Sequence, residues 1–267
     1  MILVKIGGGK QINLDYICED LKKLIAAGEK VVLVHGASAT RDEIAQKIGI
    51  PTRTITSPSG ISSVYTDQAT IDVFLMVYPG LVNKKIVTRL QAYGINAVGL
   101  SGLDGRLWQG QRKKVVYAKI GEKTKLITDN LTGKVKKINT GLINLLLDKN
   151  YLPVICPPAL SENNEIINTD SDWAAAVMVG ALKIETMIAL FEAPGMLRKF
   201  GDESTLIKTI DKNQLDQYLT YAQGRMKKKL IGAKEAFRLG LKKMYWSDGR
   251  KKNSIINALT GQGTIIS

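Results

Sequence analysis

Four short stretches of the 267-residue chain combine residue types that could hold and transfer an anionic group. The first is Lys5-Ile6-Gly7-Gly8-Gly9, a lysine at the end of an apolar run followed by glycines. Without a Cβ, glycine lets backbone N–H groups come close to an anion. The spacing is neither G-x-x-x-x-G-K-[ST] nor G-x-G-x-x-G, so a tight turn with a snorkelling lysine explains it equally well in isolation. The second is Val34-His35-Gly36-Ala37-Ser38, small residues ahead of a helix whose N-terminus favours negative charge. Two such loops on neighbouring parallel strands would face each other at the carboxyl edge of the sheet, where open α/β folds bind ligands.

The third stretch is Asn168-Thr169-Asp170-Ser171-Asp172. N-capping by Asp170 or Ser171 accounts for it structurally; the chemical alternative has Asn168 hold a substrate while an aspartate orders nearby lysines. The fourth is Gly224-Arg225-Met226-Lys227-Lys228-Lys229, a cationic helix start. Positive charge there costs a few tenths to about 1 kcal/mol, so an anion is expected nearby, although two of the three lysines could simply be solvated. His35 is the single histidine, which excludes a histidine metal cage, and it reads as structural.

The elements that position these stretches follow from periodicity. Short Val/Ile-rich runs alternate with helical stretches, as in a parallel sheet covered on both faces: a three-layer αβα sandwich with a mostly parallel central sheet. Strands are expected at 2–6, 31–35, 96–100, 151–156, 165–168, 186–191, in KKMYW and in the closing GTIIS. Helices are expected at 12–27, 41–48, 67–77, 81–93, around TGLINLLLDKN, and at 172–182, 211–222 and 226–239, with a break at Pro79-Gly80. Between 102 and 137, alternating Gly, Lys and β-branched residues read as a β-hairpin flap on the sheet edge. The expected division is two lobes on one continuous sheet, an N-terminal lobe, 1–182, that carries the flap, and a C-terminal lobe, 183–267.

Lys and Arg total 38 against 24 Asp and Glu, a net +14, which favours acidic partners. With 6% aromatics and no recognition module, nucleic-acid binding is not expected. Cys18 and Cys156 are far apart, so neither a disulfide framework nor a zinc site is indicated. MILVKIGGGK lacks the layout of a secretory signal, and the apolar window 173–191 is broken by Gly180, Lys183 and Glu185. A cytoplasmic protein without membrane association is expected.

With these residues in view, the chain resembles the amino acid kinase family, with the acetylglutamate kinase fold. The matching stretches are Lys5-Ile6-Gly7-Gly8, VHGAS, INTDSDWAA and GRMKKKL. MVYPGLVNKKIV, VGLSGLDGRL, YLPVICPPALS and NALTGQGTI are similar to the subgroup acting on amino-group carrier proteins, the [LysW]-aminoadipate or [LysW]-glutamate kinases. The resemblance implies ATP-dependent phosphorylation of a side-chain carboxylate of 2-aminoadipate or glutamate on a small acidic carrier protein, giving an acyl phosphate in lysine or arginine biosynthesis. A kinase for a free N-acylated amino acid, or a nucleotide-binding paralogue with altered activity, are the alternatives.

Carried over by position, Lys5 and Lys229 would be the two transition-state lysines and Asp172 would hold them. Gly8 and the Gly36-Ala37-Ser38 backbone would donate N–H bonds to the phosphoryl group and substrate. Asn168 would bind the amino-acid portion, and Val64 lies in the substrate site. Glu192, Ala193, Pro194 and Gly195, with Gly224, Arg225 and Met226, would bind nucleotide. Magnesium would accompany ATP without a protein cage, and a homodimer is implied. Lys113, Lys114, Lys134, Lys136 and Lys137 on the flap are candidates for a carrier-docking rim. Several positions depart from the family pattern: Ala37 for a glycine, Val64 for an arginine that would clamp a carboxylate, Trp173 for glutamine, Ser171 for a glycine common in the subgroup, and Phe191-Glu192 for a more usual polar pair at the nucleotide loop. Ala37 is tolerable only if its φ stays negative.

Overall fold

The computed structural model describes residues 1–58, 60–120, 123–222 and 224–267, so positions 121 and 122 of the expected flap lie outside the described residues. Eight strands form the central sheet: β1 Ile2–Ile6, β2 Val31–His35, β3 Ala97–Ser101, β4 Leu152–Cys156, β5 Thr186–Phe191, β6 Thr209–Ile210, β7 Lys243–Asp248 and β8 Thr264–Ile266. Their lateral order is β6-β8-β7-β5-β1-β2-β4-β3. From β7 to β3 all neighbours are parallel. The closing strand β8 runs antiparallel to β7, and β6 is parallel to β8. Every residue of β1, β2 and β4 is buried, as strands covered on both faces require.

Strand alternation sorts the side chains into two layers. Ile2, Val4 and Ile6 pack with Ile17, Leu21 and Leu24 of α1 (Leu14–Ala26), Ile86 and Leu90 of α4 (Asn83–Ala92), and α8 (Ser254–Leu259). Leu3 faces the other way, with Ile143 of α5 (Thr140–Asp148), Ala174 to Leu182 of α6 (Ser171–Leu182) and Leu230, Ala233 and Ala236 of α7 (Arg225–Arg238). Lys5 shares the phase of Leu3, so its side chain is delivered to the α6/α7 layer. Residue parity along one strand thus selects which helices can meet the lysine.

Three expectations change. The chain does not break at Pro79-Gly80: α3 (Gln68–Leu75) runs through a π-helical segment, Met76–Val82, into α4, with αR backbone at both junctions. The wider turn takes the proline ring and its missing N–H without ending the helix. A hairpin with no sequence expectation, Arg53–Thr56 with Ser62–Tyr65, joins Val116–Ile120 and Lys123–Ile127 in a four-stranded antiparallel sheet. Its strands are short and mostly half-exposed, so they carry no apolar run to read. The rest of the flap, Trp108–Arg112 and Gly133–Ile138, forms a second small sheet with Ala159–Ser161 and Ile166–Ile167. The stretch expected as a helix at 211–222 is a 3-10 helix, Lys212–Thr220. Among the described residues no helix is long and apolar enough to cross a membrane.

Candidate active site

Three charged side chains meet at the carboxyl edge of the sheet. Lys5 Nζ lies 2.6 Å from Asp172 Oδ1, and Lys229 Nζ lies 3.2 Å from Oδ2 and 3.3 Å from Oδ1. Lys5 comes from the end of β1, Asp172 from the first turn of α6 and Lys229 from the second turn of α7. The helices cross closely there because residue 232 is glycine: a Cβ on it would stand 3.2 Å from Asp172. Asp170 caps α6, accepting from the backbone N–H groups of Asp172 and Trp173, and so fixes where Asp172 points.

All three groups are nearly removed from water, with side-chain exposures of 4%, 15% and 10% for Lys5, Asp172 and Lys229. Burial alone would raise the Asp172 pKa; the Lys229 and Lys5 ammoniums outweigh it and hold the carboxyl far below the ordinary range. Burial lowers Lys229 to about 8, with Lys5 adding to the drop and Asp172 opposing it. One carboxylate shared by two ammoniums leaves a surplus positive charge, and the Phe191 ring, 5.1 Å from Lys229 Nζ, is its apolar wall. This is an electrostatic site suited to a dense anion rather than to proton abstraction.

The two glycine loops meet as their strands place them. Ala39 N donates to Gly8 O at 2.9 Å, and Ser38 Oγ lies 3.3 Å from the same oxygen. A Cβ at Gly8 would fall 2.4 Å from Ser38 N and 2.7 Å from Ala37 N, and one at Gly36 would fall 3.1 Å from Gly8 N. The Gly36-Ala37-Ser38 backbone therefore sits against Gly8. Ala37 has φ −147°, and its side chain is buried in an apolar cluster with Ile71, Phe74 and Tyr78. The methyl that replaces a glycine hydrogen is accommodated.

His35 is wholly buried and lies outside the ionic cluster. Its Nε2 pairs with Asn83 Nδ2 at 3.0 Å, and the same amide donates to Val154 O. Burial lowers its pKa to about 4, so the ring is neutral at ordinary pH, and the structural reading holds. Asn168 Nδ2 donates to Thr66 Oγ1 at 3.0 Å, tying the end of the short strand at 166–167 to the segment after the Ser62–Tyr65 strand. Val64 packs against the Ala37, Ile71 and Phe74 cluster as an apolar side chain.

On the nucleotide side, Glu192 follows β5 and accepts from Gln11 N at 2.7 Å. Gly195 has a packing reason of its own: a Cβ there would collide with Thr264 Oγ1 at 2.3 Å. Ala193 packs on the core, and Pro194 O lies 2.9 Å from where a Cβ of Gly263 would be. Gly224 takes φ +51° at the start of α7, followed by exposed Arg225 and by Met226, which packs on the core. The flap lysines differ among themselves. Lys134 lies 3.9 Å over the Trp173 ring, whose Nε1 donates to Val135 O. The Lys113 pKa is lowered by desolvation, with the like charges of Lys134 and Lys228 adding to the drop. All five flap lysines, Lys113, Lys114, Lys134, Lys136 and Lys137, are exposed. Phe191, Asn83 and Thr66 had no site role assigned from the sequence; only their meeting with Lys229, His35 and Asn168 reveals them.

The sequence profile of the amino acid kinase family matches residues 1–245, nearly the whole frame just described. The chain belongs to the amino acid kinase family. Among amino acid kinases it is 46% identical to the [LysW]-aminoadipate kinase of Deinococcus radiodurans, over all of this chain and 91% of that one. It is 44% identical to the [LysW]-aminoadipate kinase of Thermus thermophilus over the full length of both. In fold it is similar to N-acetylglutamate synthase from Neisseria gonorrhoeae, with a TM-score of 0.77 at 20% identity, covering all of this chain and 59% of that one. As in other members of this family, the mostly parallel sheet and its helices form the αβα sandwich expected from the sequence.

Proposed function

We propose that this amino acid kinase transfers the γ-phosphoryl group of ATP to the side-chain carboxylate of an amino acid, 2-aminoadipate or glutamate, held on a LysW-like carrier protein. The observation that carries the reading is the convergence of Lys5 and Lys229 on Asp172 beside the glycine loops. Its full-length similarity to [LysW]-aminoadipate kinases supports the acceptor class.

The chemistry asks little of the protein beyond position and charge. An acceptor carboxylate oxygen attacks the γ-phosphorus, the bond to the β–γ bridging oxygen breaks, and ADP departs with that electron pair. The product is an acyl phosphate. The nucleophile is already an anion, so no general base is required, in keeping with a neutral, buried His35. Lys5 and Lys229 would flank the moving phosphoryl group, with Gly8 and the 36–38 backbone donating N–H bonds to it, an oxyanion-type role. Asp172 keeps the two ammoniums from repelling each other out of register. Asn168 would contact the acceptor's amino-acid portion, and the 192–195 and 224–226 segments the nucleotide, giving an acceptor lobe at 1–182 and a nucleotide lobe at 183–267.

Magnesium would arrive on the nucleotide. Among the described residues no group of three or more His, Cys, Asp or Glu could cage a metal, and both Asp172 oxygens are taken by lysines. When bound, the ion would shield phosphate charge. The net charge of +14 and the exposed Lys114, Lys136 and Lys137 fit an acidic carrier, whose docking they would speed and orient.

The test is ADP release with hydroxylamine trapping of acyl phosphate, comparing aminoadipyl-carrier, glutamyl-carrier and free N-acetylglutamate. Turnover is expected with a carrier-linked acceptor, falling at least ~100-fold in Lys5→Ala or Lys229→Ala, since each removes a transition-state charge. A loss below tenfold in both variants would refute the assignment.

A further inference from the structure

Glu192 is the first residue beyond β5, at the carboxyl edge beside the glycine loop. Its Oε1 accepts from the backbone N–H of Gln11 at 2.7 Å across 181 positions of sequence. The fit depends on Gly9: a Cβ there would lie 2.2 Å from both Cδ and Oε2 of Glu192. The neighbouring cation does not hold this carboxylate, because Lys10 Nζ is 2.8 Å from Glu43 Oε2 instead. Among the described residues Glu192 makes no ion pair. A carboxylate laid over Gly9 and held by the backbone N–H of Gln11, two residues further on, without a cation, takes the kind of place a phosphate takes beside a glycine loop. The chain supplies the anion itself.

We propose that Glu192 gates the glycine loop: its carboxylate occupies the loop position that a nucleotide phosphate oxygen takes, and phosphate binding must displace it. The proposal rests on the reading of this loop as a nucleotide-phosphate site. One N–H cannot serve two anions at full strength, so carboxylate and phosphate compete. The apparent affinity for phosphate falls by the fraction of time the loop is free. Occupancy by Glu192 for about nine-tenths of the time would weaken nucleotide binding about tenfold. A polyanion can overcome this penalty more readily than a singly charged metabolite, so the contact also selects for nucleoside di- and triphosphates.

The experiment is isothermal titration of the full-length protein and its Glu192→Gln and Glu192→Asp variants with ADP, inorganic tripolyphosphate and adenosine. In Glu192→Gln the acceptor on Gln11 N–H becomes neutral and roughly half as strong. ADP and tripolyphosphate are expected to bind about two- to threefold more tightly to this variant, and adenosine, which carries no phosphate, should show no such gain. Glu192→Asp is one methylene too short to reach Gln11 N–H, leaves the loop free, and should give the larger gain, up to about tenfold. A purely structural role predicts the opposite sign. Unchanged or weaker ADP and tripolyphosphate binding in either folded variant, with ADP binding intact in the parent protein, would overturn the gate alone. Failure of all three proteins to bind ADP and tripolyphosphate would overturn the kinase reading and the gate with it.

Discussion

Replacing Asp172 by Asn removes the one negative charge between Lys5 and Lys229 while keeping its shape. At 3.2 Å, the Asp172–Lys229 attraction is worth about 5 kcal/mol at an effective dielectric constant of about 20. Divided by 1.36 kcal/mol per unit, that is a fall of roughly 4 pKa units before water enters or side chains relax. Lys229 begins at about 8, so even half of this drop leaves it mostly neutral at pH 7.5. An uncharged Lys229 cannot offset transition-state charge, and loss of a single such donor costs about 10²–10³-fold. Two linked results are expected in the coupled ADP-release assay from pH 5.5 to 9.5. In the parent enzyme kcat/KM should fall as pH rises through about 8, because Lys229 is needed in its protonated form. In Asp172→Asn, kcat should drop at least ~100-fold at pH 7.5, with the basic limb moved toward acid. The sign for stability is separate: a lysine whose folded pKa is lowered makes the fold more stable as pH rises from about 8 toward 10.5. A variant that retains more than a tenth of kcat with an unmoved basic limb would refute the electrostatic account.

Gly8→Ala should reduce turnover at least ~10-fold and lower Tm by a few degrees, because its Cβ would press on the backbone N of Ser38 at 2.4 Å and force apart loops that must stay aligned; steady-state kinetics on the folded variant checks this, and normal kinetics would count against it. Asn83→Ala strips His35 Nε2 and Val154 O of their donor in a fully buried place. A loss of about 2–3 kcal/mol follows, seen as a Tm lower by roughly 4–12 °C for a chain of this size, and a Tm within 1 °C of the parent would show the amide to be dispensable.

Much of the frame was legible because strands covered on both faces write themselves as continuous Val/Ile runs, as in Ile2–Ile6 and Val31–His35. The ionic cluster was legible only in part. Lys5 and Asp172 stand in motifs, but which of Lys227, Lys228 and Lys229 turns inward depends on the rotation of α7 against Asp172, set by a glycine one turn further on. The Arg53–Tyr65 hairpin was illegible because its half-exposed strands lack an apolar period, and the π segment because Pro79 usually ends a helix. Val64, expected in the substrate site in place of an arginine, packs as a partly buried side chain on the apolar cluster of Ala37, Ile71 and Phe74.

The three successive lysines of α7 fan out about 100° apart, as any helix dictates. Lys229 reaches Asp172, and Lys227 Nζ is 3.9 Å from where a Cβ of Gly60 would sit, at the tip of the Arg53–Tyr65 hairpin. One helix therefore carries a side chain of the ionic cluster and another at the hairpin tip. A roll of about 10° swings an atom roughly 6 Å from its axis through about 1 Å, and a displacement of that size is enough to change turnover about a hundredfold. A load on the hairpin tip is thereby placed to act on Lys229 through the one helix that carries both lysines.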